Sequence, residues 1–242
     1  MLKINILLFL LLFCAGLNTQ AQKNNSGVAV YRVYPNMKRV EDLSPKNSIY
    51  AEIKDALNHL DQLQYKLYFN TEIAYYDIEE QLANERHPAV QNAAKLARNT
   101  PFYTLQPSGE SFNKIEFMGD DYLIAQKCSE YAWVIQQETK IIQGYKCHKA
   151  TSIIEGPNEE ALEIIAYFCP QLSFNYGPKG YCGLPGMILY LEDHLVIYEM
   201  TKLQFKPIDA IVFERNGIVK TREGFSKYVD SLATATFGWQ KN

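Results

Sequence analysis

The residues whose chemistry can be weighed first are the cysteines. Cys128, Cys147, Cys169 and Cys182 remain once Cys14 is assigned to an apolar leader. No Cys-x-x-Cys spacing occurs, which disfavours a zinc cluster. An even number of cysteines in an exported chain argues for two disulfides, with three pairings open. The preferred arrangement joins Cys169 to Cys182, bracing a Gly/Pro-rich connection, and Cys128 to Cys147, on segments that read as neighbouring strands. Cys147-His148 resembles a ligand pair, but adjacent residues on a strand face opposite sides and do not chelate one ion. Asp120-Asp121 after Gly119 reads as a turn, because Asp side chains bond local backbone and two neighbours are too few oxygen ligands for calcium.

The remaining catalytic patterns fail on spacing. There is no Gly-x-Ser-x-Gly elbow and no His-Glu-x-x-His, and the four His are spread along the chain. The glycines of the most Gly-rich stretch precede a strand, so no helix N-terminus is aimed at a phosphate. Glu163 and Glu199 are single carboxylates with no assigned partner, and a glycosidase needs a positioned pair. The sequence therefore predicts no catalytic residue, no metal site and no cofactor.

The leader sets the compartment. Lys3 is followed by an apolar run over 4–13 broken only by Asn5, then by Thr19-Gln20-Ala21 with small residues at −3 and −1. This is the pattern of a signal peptide over 1–21, cleaved before Gln22, and the run is too short to span a membrane. Phe13 stands where a lipoprotein site at Cys14 wants a small residue. Residues 22–242 suffice for a single β-rich domain. The net charge of −3 offers no basic excess for phosphates, which excludes nucleic acid as a partner. No second apolar stretch reaches spanning length, so the chain is not an integral helical membrane protein. Its address is the periplasm, the outer-membrane surface or the exterior.

Periodicity places the elements. The chain carries 17 Tyr, a residue that favours strands and amphipathic surfaces. Residues 27–34 alternate as an opening strand ended by Pro35, and 36–47 reads as loop. Asn47 or Ser48 caps a helix with Ile49, Ile53, Ala56, Leu57 and Leu60 on one face, leaving His59 solvated. Leu63, Tyr65, Leu67 and Phe69 alternate with polar neighbours as a half-buried strand, followed by a second from Ile73. Pro88 to Ala97 is a small-residue helix. Strand pairs follow at 112–117 with 122–126, and at 131–137 with 144–154. A strand at 163–169 leads to a hairpin of 186–191 with 195–205, turned at Asp193-His194. Arg215-Asn216-Gly217 predicts a hairpin of 210–214 with 218–221. A last helix, capped by Thr221, carries Phe225, Tyr228, Val229 and Leu232 on one face.

The organising stretch is Tyr181-Cys182-Gly183-Leu184-Pro185-Gly186-Met187-Ile188-Leu189-Tyr190-Leu191: a rigid turn set against a buried strand. It resembles the signature of the GLPGLI family of secreted Bacteroidetes proteins, whose biochemical role is unassigned. Two further blocks carry the resemblance. One is Tyr65-x-Leu67-x-Phe69-Asn70. The other runs from Trp133 through Glu138-Thr139-Lys140 and Gly144 to Ala150, with Ala166-Tyr167-Phe168 after it. Met187 replaces the usual Leu and Tyr167 the usual Trp, and Cys169 and Cys182 are additions. The resemblance implies a mainly β, α+β fold: a strongly curved antiparallel sheet or half-barrel with a few peripheral helices. It carries over no catalytic residue. Within the signature, Gly183, Pro185 and Gly186 shape the turn and Leu184 packs; the functional reading has Tyr181 and Tyr190 beside a ligand. The expected role is a non-enzymatic binding or carrier protein of the cell envelope, for a small hydrophobic molecule or an envelope protein segment. The rivals are a hydrolase of unfamiliar arrangement and an accessory subunit of an outer-membrane system.

Overall fold

The structure, a computed structural model, describes residues 25–41, 50–79, 88–97, 100–155 and 161–237. The expected leader and the cap at Asn47 or Ser48 lie outside the described residues.

Alternation builds one large sheet. The strands are β1 (Ser26–Pro35), β2 (Gln64–Asn70), β3 (Ile73–Ile78), β4 (Phe102–Leu105), β5 (Glu110–Phe117), β6 (Asp120–Lys127), β7 (Val134–Ile142), β8 (Tyr145–Glu155), β9 (Ala161–Cys169), β10 (Met187–Asp193), β11 (Val196–Phe205) and β12 (Ile218–Thr221). Their lateral order is β12-β6-β5-β4-β3-β2-β1-β11-β10-β9-β8-β7. The sheet is curved and open, and among the described residues β7 and β12 are its edges. Every neighbouring pair is antiparallel except β12 with β6. Two hairpins turn on paired positive-φ residues, Met118-Gly119 and Gln143-Gly144, the geometry that matches strand twist. The first of these sits one residue before the expected Asp120-Asp121 turn, and both aspartates belong to β6.

Among the described residues four α-helices accompany the sheet: α1 (Met37–Glu41), α2 (Tyr50–Leu57), α3 (Pro88–Leu96) and α4 (Arg222–Phe237). The segment read as loop after Pro35 thus contains a short helix, α1, whose first turn is closed onto the Asn36 carbonyl by the Arg39 and Val40 amides. The small buried residues Ala89, Ala93, Ala94 and Ala97 of α3 and its end let the chain lie close on the sheet. There the Ala97 carbonyl accepts the Tyr198 hydroxyl at 3.0 Å and the Tyr65 hydroxyl at 3.5 Å. Tyr31, Tyr65, Tyr76 and Tyr198 fill this helix-covered face, with Tyr65 stacked on Tyr76 at 5.3 Å between centroids. Phe69, Phe174 and Phe205 continue the packing.

The expected 210–214/218–221 hairpin does not form. Residues 206–217 cross the sheet without strand structure. Phe213 packs on Tyr103 (4.9 Å) and Phe112 (5.0 Å), and the Arg215 guanidinium lies 4.8 Å from the Phe112 centroid. These contacts outweigh the local Asn-Gly turn preference. They deliver β12 to the free edge of β6 in parallel. Gly217 makes that docking possible: a Cβ there would stand 2.8 Å from the Asp121 carbonyl oxygen. The C-terminal helix follows as expected, with the Gly224 amide donating to Thr221 Oγ1 at 3.0 Å.

Burial pushes the phenols of Tyr31, Tyr76 and Tyr131 well above the ordinary tyrosine range. The fold holds their neutral forms. Their contribution is intact below the unfolded-chain tyrosine pKa of ~10 and is lost as pH rises above it, because the unfolded chain ionises first. In an alkaline titration, tyrosinate absorbance is expected to rise in two stages, the second coinciding with loss of the circular dichroism signal. A full rise with the fold intact would contradict the burial of these rings.

Candidate functional site

The signature turn is built for close backbone approach. Gly183 has φ +91° and Gly186 φ +151°. A Cβ at Gly183 would stand 2.7 Å from the Cys128 carbonyl oxygen, and one at Gly186 would overlap the Cys169 carbonyl oxygen. The turn is then tied at several points. Cys182 is bonded to Cys128. Trp133 Nε1 donates to the Cys182 carbonyl at 2.9 Å. Tyr181 packs on Tyr131 at 4.7 Å, and Tyr131 on Trp133 at 5.6 Å. Tyr181, Cys182 and Leu184 are buried. Such a bond persists in oxidising compartments and is consistent with export.

The disulfide corrects the expected pairing. Cys128 opens a 3-10 turn after β6, and the Gly183 backbone comes against it, so Cys128 meets Cys182. Cys169 ends β9 opposite Met187 of β10, away from Cys182, and Cys147 lies on β8, the next strand over. Cys147 and Cys169 stand outside that bond, and both lie in the core.

Tyr190 has different neighbours from Tyr181. Register puts Arg32, Glu199, Tyr190, Tyr167 and Lys149 in one row across β1, β11, β10, β9 and β8, on the face opposite the tyrosine core. Arg32 Nη2 meets Glu199 at 2.6 Å, and the Tyr34 hydroxyl donates to the same carboxylate at 3.1 Å. Tyr190 donates to Glu192 at 2.9 Å. Tyr167 donates to Glu138, which also accepts from Lys149 Nζ at 2.9 Å. Lys140 Nζ sits 4.1 Å from the Tyr190 ring centroid and 5.6 Å from that of Tyr167. Burial, then Glu138, pushes the Tyr167 phenol up to about 12, while the Tyr167 hydroxyl and Lys149 hold Glu138 below its ordinary range. The row pairs its carboxylates with cations and phenols. Among the described residues no three His, Cys, Asp or Glu group so as to hold a metal ion. His59 bonds Gln62 near α2, His148 faces Phe168, and His194 lies in the β10–β11 turn.

Glu138 and Lys140 belong to β7, the edge strand. Its ladder to β8 is interrupted between Ile135 and Thr139, where the Glu138 side chain anchors the strand through Tyr167 and Lys149. Among the described residues no backbone pairs with its outer side. Val134 (62%), Ile135 (52%) and Ile141 (65%) are exposed, as is Ile153 on β8. Apolar side chains on an unpaired edge are a surface for another strand. The sequence placed Val134, Ile135 and Ile153 on strands but ended the first strand at 137, short of Ile141, whereas β7 runs to Ile142; that β7 lies at the edge is set by register.

Residues 154–190 match a family model described as Protein of unknown function (Porph_ging). The match covers β9 and most of the signature, and is consistent with a Bacteroidetes family. No curated protein matches the chain. Two solved structures of PNGF-II, in P21 and C2 crystal forms, are similar to it at 13% identity and a TM-score of 0.52. They cover 84% and 85% of this chain and 32% of PNGF-II, so the chain spans about a third of that protein's length. At this identity the likeness shows the fold alone. No helix among the described residues is long and apolar enough to cross a membrane.

Replacing Gly186 with Val separates a structural turn from a ligand-lining one. The added atoms would drive into the Cys169 carbonyl at a φ that L residues avoid. The expected outcome is loss of cooperative unfolding and of soluble yield. A variant that folds with unchanged thermal midpoint would overturn the structural role.

Proposed function

We propose that this is an exported cell-envelope protein of the GLPGLI family that binds without catalysis, and that its ligand is an extended segment of a partner protein added to β7. The observation that carries this is the edge itself: a strand whose outer side pairs with no described residue and which exposes Val134, Ile135 and Ile141. Strand addition draws affinity from main-chain hydrogen bonds and specificity from side chains at alternate positions. The partner segment would place apolar residues against both ends of β7 and uncharged polar residues at its middle, where Glu138 and Lys140 are already engaged. An enclosed hydrophobic ligand is less favoured, because the helix-covered face is filled by Tyr31, Tyr65, Tyr76 and Tyr198. The bulge in β7 works against flat pairing with a second copy. The signal-peptide pattern and the Cys128–Cys182 bond support the envelope address.

A photo-crosslinking residue at the exposed Gln137, introduced in the producing cell, tests this. The expected product is a discrete adduct with one other envelope protein, absent when the crosslinker is at Asn216. Ile135→Lys and Ile141→Lys should each cut its yield about tenfold with the circular dichroism spectrum unchanged, since an added charge at an apolar contact acts by repulsion and desolvation. Equal yields from both sites, insensitivity to the lysines, or an adduct of twice the chain's own mass would overturn the reading.

A further inference from the structure

Two thiols remain after Cys128 and Cys182 are joined, and the sheet brings them together. β8 and β9 are antiparallel, with His148 opposite Phe168. One step further along that register sets Cys147 opposite Cys169, both fully buried. Cys147 is flanked on its other side by Lys140 of β7, and Cys169 by Met187 of β10, so the pair lies within a continuous lateral row. The thiols are hydrogen-bonding neighbours of each other, and the Cys147 thiol also faces the Tyr145 carbonyl at 3.6 Å. Directly opposite residues on antiparallel strands have Cβ atoms ~4.5–5.5 Å apart, within reach of the spacing a disulfide needs after small adjustment.

We infer that Cys147 and Cys169 form a second disulfide, a cross-strand staple between β8 and β9, and that it closes before the sheet packs over it. The compartment that makes Cys128–Cys182 supplies the oxidant class, a protein or small-molecule disulfide. One thiolate attacks that disulfide and displaces a thiolate. The second cysteine then attacks the mixed disulfide. Two thiols are oxidised, one external disulfide is reduced to two thiols, and the two protons leave with them.

The order of events follows from burial. Exchange needs thiolate, and desolvation followed by the Cys169 neighbour pushes the Cys147 thiol up to about 12. Both thiols are also fully buried, so once folded the reduced pair is poorly accessible to exchange, whereas Cys128 is only half-buried. The inference does not depend on strand addition at β7.

The test uses protein exported by its own leader and purified without reductant. Blocking thiols in denaturant, then mapping peptides, should show Cys147 joined to Cys169 and Cys128 joined to Cys182, with an intact mass four hydrogens below that of the reduced chain. Cys147 and Cys169 both recovered as blocked thiols, or joined to other cysteines, would overturn it. A second measurement tests the order. Folded protein carrying Cys128→Ser and Cys182→Ser, purified with reductant, should oxidise its remaining pair with glutathione disulfide more than about tenfold slower than the same chain in denaturant, as thiolate fraction and access require. Equal rates would overturn the claim that the bond precedes burial.

Discussion

The backbone of the signature turn runs against carbonyl groups that a side chain would displace. Gly183 lies against Cys128 and Gly186 against Cys169, both with positive φ. These two approaches join regions far apart in the chain: the end of β6, the end of β9 and the start of β10. The Cys128–Cys182 bond, the Trp133 hydrogen bond and the Tyr131–Tyr181 packing are possible only because the turn is already that close. Met187 to Leu191 then enters the interior of the sheet as a buried run, and β10 becomes the strand against which β9 and β11 are registered.

That register divides the sheet into two faces of different character. One is closed by α2, α3 and a layer of buried tyrosines, of which Tyr65 and Tyr198 reach the end of α3 with their hydroxyls. The other carries paired charges and phenols, each with a partner, from Arg32 through Tyr190 to Lys149. Surface ion pairs of this kind add little stability individually. Their consequence is positional: Glu138 and Lys140 hold a bulged edge strand to the sheet while its apolar ends stay exposed. The sheet's two edges are therefore unlike. At β12 the Phe213 and Arg215 contacts bring the chain back over the sheet and add a parallel strand. At β7 the described chain leaves the ladder unfinished.

Much of the fold was legible because its causes are local. Alternation in Tyr65 to Phe69, the proline after the first strand and the Thr221 cap all appear in the structure where the sequence places them. The turn at Gly119 was expected from its residues, whereas Gly144, read as the start of a strand, closes the next hairpin together with Gln143. Two failures have one cause. Asn216-Gly217 is a sound hairpin cue, yet aromatic packing of Phe213 took the segment elsewhere. The preferred disulfides joined segments that looked adjacent along the chain, whereas Cys128 and Cys182 meet through a glycine approach separated by 54 residues.

Of the candidate site, Tyr181, Gly183, Leu184, Pro185, Gly186 and Tyr190 were visible as a stretch, but not their separation into a buried knot and an opposite-face row. By itself the sequence determined most of the extended segments, several of the reversals, and that the common catalytic motifs are missing from it, because each follows from backbone preference or spacing within a few positions. Only the tertiary structure decided which strand is left at the edge, which thiols face each other and which charges pair. Those are lateral relations, set by register and by the packing of distant side chains, and no local pattern encodes them.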